Sequence, residues 1–147
     1  MDCINNIRKV LSEIGDDVQL VLATKTRSIE ELTKVHEVFP DLVFGENRVQ
    51  ELLSKYTDKF KWHLVGQLQT NKVKYIIDKV ELIHSVDRIA LVAEIDKRAK
   101  LIGKVQDCLI EINLTNDENR GGVQLSGLDS LINNSKSYEN VSIKGLM

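Results

Sequence analysis

The chain has 147 residues, 42% of them hydrophobic and 29% charged, with a formal net charge of −2. This describes a soluble globular chain long enough for a real core and excludes a mostly disordered one. No basic stripe stands out and no apolar run approaches the roughly 20 residues of a membrane span, so neither nucleic acid nor a bilayer is an expected partner.

The elements follow in alternation. Residues 1–15 read as an amphipathic helix, with apolar positions at Ile4, Ile7, Val10, Leu11 and Ile14 and a stop at Gly15. This segment carries acids and lacks the apolar core of a signal peptide, and Cys3 and Cys108 form no CxxC pair. A reducing, cytoplasmic setting with free thiols is expected. The run VQLVLATK (18–25) is β-branched and apolar, as in a buried strand. Ser28 is placed to cap the following helix, and Glu31, three residues on, completes a capping box; Pro40 ends that helix. Further strands are expected at 42–46, 62–67, 81–87, 108–115 and 141–147. Further helices are expected at about 48–59, 71–79, 88–104 and 125–139.

A helix followed by repeated strand–helix units signals a parallel sheet. Nothing marks a domain boundary, so residues 1–147 are expected to form one α/β domain. Periodicity leaves two architectures open, a (β/α)-barrel and a six-stranded doubly wound sheet. The chain stops on a strand. A doubly wound domain covers its last strand with a helix and a barrel needs two more units, so an incomplete fold is expected, a natural end at a sheet edge being the alternative.

Polar residues and glycines gather where the strands end: Thr24-Lys25-Thr26, Gly45-Glu46-Asn47, Gly66-Gln67, His84-Ser85 with Asp87, and Glu111 with Asn113. In parallel α/β folds ligands bind at this end. Lys25, at the mouth of the first strand, is the sharpest element. An inward amine there suits Schiff-base chemistry; a lysine reaching water, or pairing with Glu46, is the alternative. Gly45 and Gly66 would let backbone approach a ligand closely. His63 and His84 lack partners at metal-ligand spacing and read as hydrogen-bonded structural residues. The run 117–120 reads as a solvated loop.

These pieces, in this order, resemble the pyridoxal phosphate homeostasis proteins, a family related to the N-terminal barrel of alanine racemase. The resemblance rests on LVLATKTRSIEEL with Lys25, FGENRVQEL (44–52), WHLVGQLQTNKVKYI (62–76), IHSVDR (83–88), LIEINLTNDENRGGV (109–123) and KGLM (144–147). FGEN-x-VQE followed by WH-x-x-G-x-LQ-x-NK is its specific core. The resemblance implies a (β/α)₈ TIM-type barrel, here an N-terminal helix with six of eight strands. It implies pyridoxal 5′-phosphate held as a Schiff base on Lys25, with Asn47 beside it. Lys25, Asn47, Gly45, Gly66, His84 and Met147 are thus the candidate cofactor-binding residues, with no catalytic or metal-ligating residue expected. It further implies a carrier or buffer of the cofactor in vitamin B6 and amino-acid balance, with apo pyridoxal-phosphate enzymes as acceptors and no catalysis of its own. A racemase-like enzyme, or a fragment without cofactor, are the alternatives. Relatives continue through two more strands whose loops hold the phosphate, so residues 1–147 are expected to bind the cofactor weakly or reversibly. Arg27 and Arg120 stand where many relatives have lysine, and Gln67 where histidine is common.

Overall fold

The computed structural model describes residues 3–115, 117 and 119–147. Met1 and Asp2 of the first expected helix, Asn116, and Glu118 of the charged run lie outside the described residues. The chain opens with helix α1 (Cys3–Glu13) and then alternates: β1 (Val21–Ala23), α2 (Ile29–Val38), β2 (Val43–Glu46), α3 (Val49–Lys55), β3 (Lys61–Leu64), a 3-10 helix (Thr70–Tyr75), β4 (Leu82–Val86), α4 (Ile89–Leu101), β5 (Gln106–Ile110), β6 (Ile112–Asn113), β7 (Val123–Gln124), α5 (Leu125–Ser135) and β8 (Val141–Leu146). Six strands make one parallel sheet in the order β1-β2-β3-β4-β5-β8, and β6 pairs with β7 in a small parallel sheet of its own.

That order decides between the two architectures. A doubly wound sheet reverses its strand order at a switch point and places helices on both faces. Here every strand pairs with the one before it in the main sheet. Right-handed crossovers then put all the helices on one side, which is barrel winding. The core agrees: Leu32 and Val35 of α2, Leu52 of α3, Leu91 and Ile95 of α4 and Leu131 of α5 share one apolar cluster with Phe44, Trp62, Leu64, Ile83, Cys108 and Ile110 from the strands. The other face of the sheet is less covered, although Val43, Gly45 and His63 on it are buried. Ala23 is exposed, and Val21, Lys61, Leu82, Asp107 and Leu109 are half-buried.

Local chemistry sets the elements. Helix α2 starts at the expected capping box: Ser28 Oγ accepts from the Glu31 N–H at 3.3 Å and the Glu31 carboxylate accepts from the Ser28 N–H at 2.8 Å. It ends two residues before Pro40, as the residue preceding proline avoids helical backbone. Two expectations are revised. The segment 71–79 is not an α-helix but a 3-10 turn that runs into looser turns, with Lys72 N–H bonded to the Gln69 carbonyl and Ile76 N–H to the Val73 carbonyl. The buried residues there and just beyond, Val73, Ile76, Ile77 and Val80, have a spacing that either helix type satisfies. The fifth expected strand also breaks. Beyond Ile110 the chain leaves the β4 ladder, and Ile112 pairs with Val123 instead.

Candidate functional site

Because all six strands of the main sheet run the same way, their C-terminal ends collect Lys25, Asn47, Gly66, Asp87, Glu111 and Met147 at one mouth. Lys25 follows β1 in a turn closed by the Arg27 N–H on the Thr24 carbonyl at 3.0 Å. It is exposed and makes no hydrogen bond or ion pair among the described residues. Thr24, one residue earlier, turns its hydroxyl to Glu46.

The pairing of Lys25 with Glu46, one of the two sequence alternatives, does not occur. Glu46 is fully buried and its Oε1 is taken by Lys55 of α3 at 2.6 Å and by the Thr24 hydroxyl at 2.5 Å. Lys55 also donates to the Thr24 carbonyl at 2.8 Å. Oε1 of the Glu46 carboxylate is therefore taken, Oε2 has no hydrogen-bond partner among the described residues, and the exposed Lys25 makes no ion pair with either oxygen.

The strand-two and strand-three ends interlock. The Val65 N–H donates to the Glu46 carbonyl at 2.8 Å. A Cβ at Gly66 would lie 2.1 Å from the Asn47 carbonyl oxygen and 2.7 Å from its Cα. Only glycine lets the strand-three loop lie on the Asn47 backbone, and this contact sets where exposed Asn47 stands. Gly45 sits on the less covered face, where a Cβ would meet Val21 and Val65 side chains at 2.9 and 3.0 Å. The glycine keeps the sheet surface below the mouth low between β1 and β3.

His84 lies within β4 and bonds to His63 of β3, with Nε2 and Nδ1 3.0 Å apart. Burial, then the neighbouring His84, pulls His63 down to about 4; burial alone lowers His84. The two rings are neutral at pH 7, and the N–H of one donates to the bare nitrogen of the other. At the far side of the mouth Asp87 accepts from Arg88 at 2.6 Å and from the Gly122 N–H at 3.4 Å. The Glu111 carboxyl is raised by burial and by the charge of Asp87. Met147 closes the β8 end, its N–H bonded to the Ile110 carbonyl and its carbonyl accepting from Ile112.

The structure thus gathers Lys25, Asn47, Gly66 and Met147 at the mouth and places Gly45 and His84 on the strands leading to it. Sequence reasoning missed Lys55 and the His63–His84 bond. The available signal for Lys55 was Glu46 nine residues earlier, a charge pair across one strand–helix turn.

No family model matches the chain. Among curated proteins it is similar to a pyridoxal phosphate homeostasis protein of Aquifex aeolicus, with 50% identity over 109 residues, 71% of this chain and 48% of that protein. A protein of the same name from Synechocystis is 32% identical over 146 residues, 95% of this chain and 66% of that one. The chain thus spans about half to two thirds of the length of the curated relatives it matches. Among solved structures, PipY of Synechococcus elongatus superposes without pyridoxal phosphate at a TM-score of 0.91 and 28% identity, over 99% of this chain and 70% of that one. Its pyridoxal-phosphate-bound form gives 0.90 at 27% identity, over 99% of this chain and 69% of that one. An alanine racemase of Clostridium difficile, 15% identical with a TM-score of 0.75 over 97% of this chain and 38% of that one, shares the fold. In motif order, barrel winding and these likenesses, the chain belongs to the pyridoxal phosphate homeostasis protein family.

Proposed function

We propose that this chain binds pyridoxal 5′-phosphate through Lys25 and acts as a carrier or buffer of that cofactor. The observation that carries the reading is an exposed lysine amine with no acidic partner among the described residues, at the C-terminal mouth of a parallel barrel-type sheet. The names of the relatives and the pyridoxal-phosphate-bound form of PipY support it.

The residues present fit the group. A bound pyridoxal phosphate supplies an aldehyde that condenses with a primary amine to a Schiff base, with loss of water. Lys25 offers the amine at the turn after β1. Asn47, seated by Gly66, offers amide donors and an acceptor beside it. Gly45 leaves room on the sheet face below, and the neutral His63–His84 pair lines the same face. Met147 borders the mouth from β8. A site made of a lysine linkage and few polar contacts holds its ligand reversibly, which suits delivery to apo pyridoxal-phosphate enzymes.

We further propose that the chain has no catalytic turnover of its own, in keeping with the naming of its relatives. Racemisation needs acid–base groups on both faces of the reacting carbon; in this reading Lys25 would serve one face, and no residue is assigned to the other. The test is a titration with pyridoxal phosphate, followed by the visible absorbance of the Schiff base. A saturable signal absent from Lys25→Ala supports the reading. A signal unchanged by Lys25→Ala overturns it. A racemase assay across several amino acids tests the claim of no turnover.

A further inference from the structure

We propose that Thr24, Glu46 and Lys55 form a positioning network that fixes the direction in which the Lys25 amine leaves the sheet. The proposal rests on the reading of Lys25 as the attachment point. Three observations support it.

First, the network is costly and specific. The Glu46 side chain is fully buried and that of Lys55 is 11% exposed. Taking both charges out of water opposes their attraction, and an apolar pair of similar size would stabilise a core as well. What an apolar pair could not do is grip Thr24. Lys55 Nζ bonds at once to Glu46 Oε1 and to the Thr24 carbonyl, and Glu46 Oε1 accepts the Thr24 hydroxyl.

Second, every polar atom of Thr24 is engaged. Its N–H donates to the Gly45 carbonyl at 3.0 Å, its hydroxyl to Glu46, and its carbonyl accepts from Lys55 and from the Arg27 N–H. The residue immediately before Lys25 is thus tied to β2 and to α3.

Third, the turn that presents Lys25 is strained. Lys25 and Thr26 are its central residues, and Thr26 has φ of +65°. A β-branched residue avoids that left-handed region, and such outliers persist where the surroundings over-determine them. Here Thr24 is held on one side of the turn, and on the other Ser28 is held by the capping box of α2. Lys25 stands at the corner between two fixed ends. A fixed root reduces the freedom lost when the amine meets an aldehyde, which favours capture at Lys25 over other exposed lysines. Lys55, bound into the ion pair, does not compete.

The test measures the rate of pyridoxal phosphate capture by borohydride quenching at successive times, with peptide mapping of the adduct and circular dichroism to confirm folding. The variants are Thr24→Val, Thr24→Ser, Thr26→Gly, and Glu46→Gln combined with Lys55→Met, which removes both charges together. Thr24→Val and the double variant should slow capture at Lys25 roughly tenfold, the order expected for losing a hydrogen bond to a charged acceptor. Thr24→Ser, which keeps the hydroxyl, should retain the original rate. Thr26→Gly should leave stability equal or higher while capture slows, a separation that a purely structural role would not give. Should the double variant fail to fold, Thr24→Val and Thr26→Gly decide. Original capture rates in both folded variants overturn the proposal. An unmodified chain with no adduct on Lys25 overturns the attachment reading instead, and this proposal with it.

Discussion

Gly66→Ala is the smallest change that should disturb the mouth. The added Cβ would lie 2.1 Å from the Asn47 carbonyl oxygen, 2.7 Å from its Cα and 2.8 Å from its carbonyl carbon. All three are backbone atoms, so no side-chain rotation relieves the contact. Reaching an ordinary separation requires the ends of β2 and β3 to part by about 1 Å. Overpacking of this kind costs about 1–3 kcal/mol. The same movement stretches the 2.8 Å bond from Val65 N–H to the Glu46 carbonyl, worth about 1 kcal/mol. A loss of about 2–4 kcal/mol is expected, or roughly 6–12 °C in the melting midpoint for a chain of this length. Urea unfolding and thermal melting measure it, and cofactor titration should show weakened binding through displaced Asn47. A variant within about 0.5 kcal/mol of the parent, the range of ordinary surface changes, would refute the argument that glycine is required for this backbone contact.

Three further outcomes follow from the same geometry. Trp62 is fully buried among Phe44 and Phe60, with ring centroids 5.7 and 6.0 Å away, and its indole N–H has no hydrogen-bond partner among the described residues. Trp62→Ala should cost about 3–5 kcal/mol in urea unfolding and Trp62→Phe much less; normal stability with selective loss of cofactor would contradict this structural role. His63 titrates at about 4 in the fold against 6.5 outside it, so the unfolded chain takes up its proton first and stability falls as pH drops below about 6.5. The loss, roughly 1–3 kcal/mol after allowing for screening through the less covered face, should be smaller in His63→Gln; an identical slope between pH 6.5 and 5 would count against it. Cys108 is buried and its thiol is pushed up to about 12, first by burial and then by Asp107, while Cys3 is exposed. A thiol reagent should therefore label one cysteine in the native chain and both in denaturant.

Much of this was readable from the residues, because it depends on local pattern. Apolar runs between helical segments indicate a parallel sheet. Ser28 and Glu31, three residues apart, form the capping box they suggest. Lys25 falls where an apolar strand ends. Other features depend on contacts distant in sequence. The choice of barrel winding over a doubly wound sheet rests on β5 pairing with β8, some thirty residues on, and no periodicity encodes that. The His63–His84 bond joins residues 21 apart on adjacent strands, visible only once their register is known. The 3-10 turn after β3 differs from an α-helix in hydrogen-bond partners, not in the spacing of its apolar residues. The positive φ of Thr26 runs against residue preference, so sequence alone argues against it.

The proposed attachment point of pyridoxal phosphate is Lys25. Borohydride reduction in excess pyridoxal phosphate, followed by peptide mapping, tests it most directly. One dominant adduct on Lys25, absent from Lys25→Ala, is expected. A dominant adduct on Lys72 or Lys144, undiminished in Lys25→Ala, would contradict it.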